Sequence, residues 1–180
     1  AACGMRLFVA LSIPDAVAQG MFLIQAGIPG ARWQTREQLH LTLRFIGEVD
    51  GREANDIDDA LSAISSPSFS LSLKGAGEFG GKNPHAVWAG VNDPRAVGHL
   101  NRKIEAALQR IGMKADERKF TPHVTLARLR GAPRARVMDW VADHALYASA
   151  PFEVAEFGLY SSLLTPNGSV YRLERAYKLR

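Results

Sequence analysis

Leu39-His40-Leu41-Thr42-Leu43-Arg44-Phe45 alternates strictly: the odd positions are apolar and the even ones are His, Thr and Arg. A period of two marks a β-strand with one packed face and one free to work, so His40 and Thr42 point the same way and Arg44 is expected to join them. The phrase returns in the second half of the chain as His123-Val124-Thr125-Leu126. There Arg128 and Arg130 fall on the opposite parity from His123, unless a bulge intervenes. Two strands that each show a His and a Thr on one face decide the fold, because the elements around them nearly repeat.

Outward from the first copy, Arg6 to Leu11 reads as a buried strand, and Pro14-Asp15 opens a helix that runs to about Gly27. Gly47 is expected to close the motif strand. Asp50 to Ser65 is an amphipathic helix with Ala54, Ile57, Leu61 and Ile64 on one stripe. Two strands, Phe69 to Lys74 and Ala86 to Val91, flank a Gly-rich stretch, Gly75 to Gly81, that reads as a turn. Pro94 to Ile111 is the clearest helix, and the second motif strand follows the charged stretch Asp116 to Lys119. Arg134 to His144 reads as a helix, and strands Phe152 to Leu159 and Val170 to Leu179 close the chain. Each half therefore offers a motif strand, a helix and a strand pair. The order predicts a duplicated, bilobal α+β unit: two antiparallel sheets face across a central cleft, with helices outside.

The chain has 180 residues and is 47% hydrophobic, enough for one core and short for two domains. A net charge of +4 admits an anionic partner without demanding one. The single cysteine, Cys3, excludes an internal disulfide and suits a reducing compartment. Ala1 to Gly4 read as residues ahead of a native initiator, Met5, and no stretch is long and apolar enough for a membrane span. The expectation is a cytoplasmic monomer.

Histidine, with an ordinary pKa near 6.5, can act as base in one copy and acid in the other. Cleavage of a phosphodiester needs both, on opposite sides of an in-line displacement, with hydroxyl donors for the charge that develops on the phosphate oxygens. Two ordinary imidazoles would centre the pH dependence near neutrality. Taken alone, either copy reads more readily as a satisfied His beside a strand-forming Thr. A metal site is the next alternative, but neither motif has a second His or a carboxylate at ligand spacing. His99 and His144 read as helix residues and His85 as a loop residue. Arg44, Arg128 and Arg130 are candidates for substrate phosphates; Arg134 and Arg136 extend a basic cluster that suits an RNA backbone or a solvated surface. Trp33, Phe45 and Tyr160 could stack a base or fill the core.

The chain resembles the two-histidine phosphoesterase superfamily, and within it the bacterial RNA 2',3'-cyclic phosphodiesterases, historically called 2'-5' RNA ligases. Arg6-Leu7-Phe8-Val9-Ala10, Trp33, His40 to Gly47, Phe120 to Arg128, Leu159 to Ser162 and Gly168 to Tyr171 carry the likeness. It implies a single bilobal phosphoesterase domain over residues 5–180 that acts on an RNA or oligonucleotide ended by a 2',3'-cyclic phosphate, without metal or other cofactor. Carried onto this chain, it makes His40 the proton donor and His123 the proton acceptor, with Thr42 and Thr125 holding the phosphate. The residues leave other readings open: action on 2'-5' linkages or on small nucleotide cyclic phosphates, or a module that binds RNA without turning it over.

Overall fold

The core is built from strand faces that alternate as the sequence does. Leu7, Val9 and Leu11 pack beside Leu41 and Leu43 of one motif strand and Val124 and Leu126 of the other, and helix stripes close over them. The computed structural model describes residues 4–180, so Ala1 to Cys3, and with them most of the stretch expected ahead of Met5, lie outside the described residues.

In the first half run β1 (Met5–Ser12), α1 (Asp15–Phe22), β2 (Arg32–Trp33), β3 (His40–Val49), α2 (Gly51–Ser62), β4 (Phe69–Leu71) and β5 (Leu73–Phe79). Then follow β6 (Ala86–Val91), α3 (Arg95–Arg110), β7 (His123–Arg128), α4 (Arg134–Asp143), β8 (Phe152–Val154), β9 (Glu156–Thr165) and β10 (Gly168–Lys178). The expected duplicated α+β architecture is present, entirely antiparallel. One half-sheet is β10-β9-β1-β3 and the other β7-β6-β5, with β2 beside β7, so the two halves of the chain exchange strands; β4 and β8 form a separate pair. The two half-sheets join at a single pairing, Leu41 with Val124, so hydrogen bonding runs through a narrow seam between the motif strands. Among the described residues no helix is long and apolar enough to cross a membrane.

Three local expectations change. α1 stops at Phe22 rather than Gly27, because Ile24 gives its carbonyl to Trp140 Nε1 and the Gln25 side chain reaches across to the carbonyls of Gln34 and Leu126. Gly47 does not end β3. It sits at φ 94° in a register shift against Leu7 and Phe8, and the strand runs on to Val49. The Gly-rich stretch is mostly strand: β5 continues to Phe79, and Gly77 leaves room for the Trp88 ring, which a Cβ there would meet at 2.3 Å.

Candidate active site

Both motif strands carry the same irregularity at the same place. Opposite β1, Val9 pairs with Arg44 and Ala10 with Thr42, leaving Leu43 as the extra residue; opposite β6, Val87 pairs with Ala127 and Trp88 with Thr125, leaving Leu126. An extra residue shifts the alternation by one, so the side chains beyond it change face. His40 and Thr42 stay half-buried on the cleft face, Leu43 and Arg44 are both buried, and Phe45 turns outward. Likewise Leu126 and Ala127 are buried in succession and Arg128 emerges on the side of His123 and Thr125.

The arginine expectations therefore invert. Arg44, expected in the cleft, is 7% exposed and committed to the protein. Its Nη1 bonds both oxygens of Glu105 at 3.0 and 3.1 Å, Nη2 donates to the Lys114 carbonyl at 2.6 Å, and Nε to that of Phe45 at 2.9 Å. Arg128, expected on the far face unless a bulge intervened, is turned by that bulge and lies close enough to both motif histidines to disfavour their protonation. Arg130 is exposed just beyond β7 and lines neither hollow beside the histidines. Arg134 and Arg136 donate to the carbonyls of Gly81 and Gly27, and neither lines a hollow beside the histidines.

The seam brings the four motif side chains together. Leu41 opposes Val124, and carrying that register one residue each way sets His40 against Thr125 and Thr42 against His123. Each histidine thus has a hydroxyl from either copy nearby. Both imidazoles are anchored alike: His40 Nδ1 meets the Gln38 carbonyl at 2.7 Å and His123 Nδ1 the Thr121 carbonyl at 2.6 Å. A carbonyl only accepts, so the proton must sit on Nδ1, and Nε2 is left to exchange a proton with whatever occupies the cleft.

Aromatic rings fix the imidazole planes. His40 lies 5.0 Å from the rings of Phe8 and Tyr171, and His123 4.9 Å from Phe79 and 5.9 Å from Trp88. This enclosure costs the charged form its hydration. Burial, with Arg128 and His123 nearby, pushes His40 down to about 4, against the Gln38 hydrogen bond. Burial and Arg128 also lower His123, opposed by its bond to Thr121.

The cleft opens to either side of the histidines. Beside His123 is a space of about 500 Å³ lined by Phe79, His85, Phe120 and Thr121 along with Thr42 and Phe45. Beside His40 is one of about 370 Å³ that includes Arg6, Arg118 and Arg128, and Phe45 and Arg118 border both. Among the aromatics weighed for stacking, Phe45 is 52% exposed at this boundary, Tyr160 stacks on Phe8 at 5.4 Å, and Trp33 packs on Trp140 at 6.0 Å in the core. Sequence reading passed over Arg6, Phe79, Arg118 and Tyr171. The available signals were that Arg118 lies in the charged run just before the second motif and that Arg6 and Tyr171 fall in stretches that carry the family resemblance.

A family model described as the 2'-5' RNA ligase superfamily matches residues 25–165. The RNA 2',3'-cyclic phosphodiesterase of Archaeoglobus fulgidus is 30% identical over 97% of this chain and 100% of its own length. That of Thermotoga maritima is 34% identical, covering 94% and 92%. Among solved structures, a Thermus thermophilus protein superposes with a TM-score of 0.82 at 26% identity over 98% of both chains. Escherichia coli LigT complexed with 3'-AMP gives 0.78 at 26% identity, covering 98% of this chain and 99% of its own.

Proposed function

The chain belongs to the 2'-5' RNA ligase superfamily, and from that membership we infer that it hydrolyses RNA ends carrying a 2',3'-cyclic phosphate. The observation that carries the reading is the matched anchoring of His40 and His123, Nδ1 on a carbonyl two residues upstream and Nε2 free, on strands joined at the seam. One such nitrogen takes a proton from water as its oxygen attacks phosphorus. The other gives a proton to O3' as the P–O3' bond breaks in line. Following the family resemblance, His123 is the acceptor and His40 the donor, which leaves a 2'-phosphomonoester and a 3'-hydroxyl.

Thr42 and Thr125 donate to the non-bridging oxygens, and Arg128 offsets their charge. His40, neutral in the free site by virtue of its burial, gains its proton along with the anionic substrate, whose charge favours the imidazolium. Neither step uses a metal ion or nucleotide triphosphate.

The test is to incubate the protein with a 2',3'-cyclic-phosphate oligonucleotide and resolve the products. Release of the 2'-monophosphate supports the reading. A 3'-monophosphate would mean that the other ester bond breaks, and an untouched substrate would remove the activity.

A further inference from the structure

The two sides of the cleft differ in charge. The larger hollow beside His123 is aromatic and mixes acids with bases: Glu105 and Asp116 as well as Arg44, Arg118 and Lys119. The smaller hollow beside His40 is bordered by three arginines, Arg6, Arg118 and Arg128, and by the hydroxyl residues Ser162 and Ser169, with no carboxylate among its lining residues. We propose that this second hollow is a subsite for another phosphate of the same substrate, the phosphodiester on the 5' side of the terminal nucleotide, gripped chiefly by Arg6. The proposal rests on the functional reading above and extends it from the reacting phosphate to the RNA strand behind it.

Two of the arginines that border the cleft are already committed. Arg44 is bound to Glu105, and Arg118 is held by Asp116 at 3.3 Å. Arg6 and Arg128 form no ion pair among the described residues, although Glu48 stands opposite Arg6 across the β1–β3 ladder. Two uncommitted guanidinium groups on one hollow repel each other until an anion lies between or beside them. Arg128, near both histidines, belongs to the reacting phosphate.

Arg6 does not. Its Cα lies four residues along β1 from Ala10, the partner of Thr42, which is about 13 Å at the rise of a strand. An arginine side chain spans only part of that distance, so its fork falls short of the reacting phosphate and within reach of the next one. A 2',3'-cyclic end continues only in the 5' direction, so the neighbouring phosphate is the 5' one. The wall opposite is tied to the catalytic centre: Gln38 Nε2 donates to the Ser169 carbonyl at 2.9 Å while the Gln38 carbonyl receives His40 Nδ1. The subsite and the acid thus share a support.

Two measurements test this. Nucleoside 2'-monophosphate and the corresponding 2',5'-bisphosphate are titrated by calorimetry, and kcat/KM is compared for a nucleoside 2',3'-cyclic phosphate with and without a 5'-phosphate. The wild type should favour the 5'-phosphorylated member of each pair by roughly tenfold or more, as a charge-assisted bidentate contact implies. In Arg6→Ala both ratios should fall toward one, and Arg6→Lys should retain part of the preference, since it keeps the charge without the fork. A wild-type ratio near one, or a ratio unchanged in Arg6→Ala, overturns the subsite while turnover of the cyclic phosphates leaves the hydrolase reading standing. Failure of the wild type to open any of the cyclic phosphates removes that reading, and the subsite with it.

Discussion

His40 and His123 present the same nitrogen from the same anchor, so each should be indispensable and neither replaceable by the other. His40→Ala and His123→Ala should each lower kcat by orders of magnitude, and the double variant should lose little more than the worse single one, because residues that act as a unit are non-additive. Thr42→Ala or Thr125→Ala should cost less, about 3 kcal/mol for one well-aimed donor. A near-normal rate for either histidine variant removes that residue from the mechanism. The pH dependence follows from burial. Both imidazoles are pushed below the ordinary 6.5, His40 to about 4, so the free enzyme carries one neutral and one protonated imidazole only on the acid side of neutrality. The bell of kcat/KM, which reports the free enzyme, should peak below pH 6.5, and that of kcat should peak higher, because the bound phosphate anion raises both groups. An optimum of kcat/KM at or above neutrality contradicts this, and contradicts the enclosure that causes it. Linkage has the same sign: below pH 6.5 the unfolded chain takes up a proton that buried His40 refuses, so stability is lost as pH falls toward 4.

At the scale of the element, the two bulges set the active site, and each leaves a strand carbonyl that needs a donor. Leu43 O receives Asn101 Nδ2 at 2.8 Å, and Asn101 is 9% exposed on α3. Leu126 O receives the Gln34 amide at 2.8 Å and Gln25 Nε2 at 3.0 Å. Asn101→Ala should therefore destabilise the fold by about 1–3 kcal/mol, the cost of a buried acceptor left unpaired, measurable by chemical denaturation. A loss within the noise of a surface substitution would mean that water takes over the bond. Glu105→Ala should cost more, about 3–5 kcal/mol, since it leaves the Arg44 guanidinium buried without its counter-ion. Arg44 illustrates why parity misleads here: the alternation Leu39 to Phe45 is plain in the sequence, but one extra residue against β1 turns Arg44 inward and Phe45 to the cleft.

For the whole molecule, the proposed function puts the charge that meets RNA in the cleft, where Arg6, Arg118 and Arg128 gather, and not on α4. Affinity for a long cyclic-phosphate RNA should fall with salt more steeply than for a nucleoside cyclic phosphate, which offers fewer phosphates. Arg134→Glu and Arg136→Glu should leave that slope unchanged, because neither side chain lines a hollow beside the histidines. A shallower slope in either would extend the RNA path over the helix. Hydrolysis should also persist under exhaustive chelation, since in the proposed mechanism two imidazoles supply both proton transfers; activity lost to chelator and restored by one metal would oppose this. What the sequence by itself determined was the motif and the repeat: two His-x-Thr strands with their pairs on one face, and an element order that doubles. Those signals are local, carried by a period of two and by caps and turns within a few residues. Only the tertiary structure decided which arginine lies beside the motif histidines, that Gly77 serves a ring instead of a turn, and that the histidines resist protonation. Those outcomes depend on partners far away in the chain, such as Asn101 on Leu43 and Gln25 on Leu126, whose packing sets register and dielectric where no local pattern can record them.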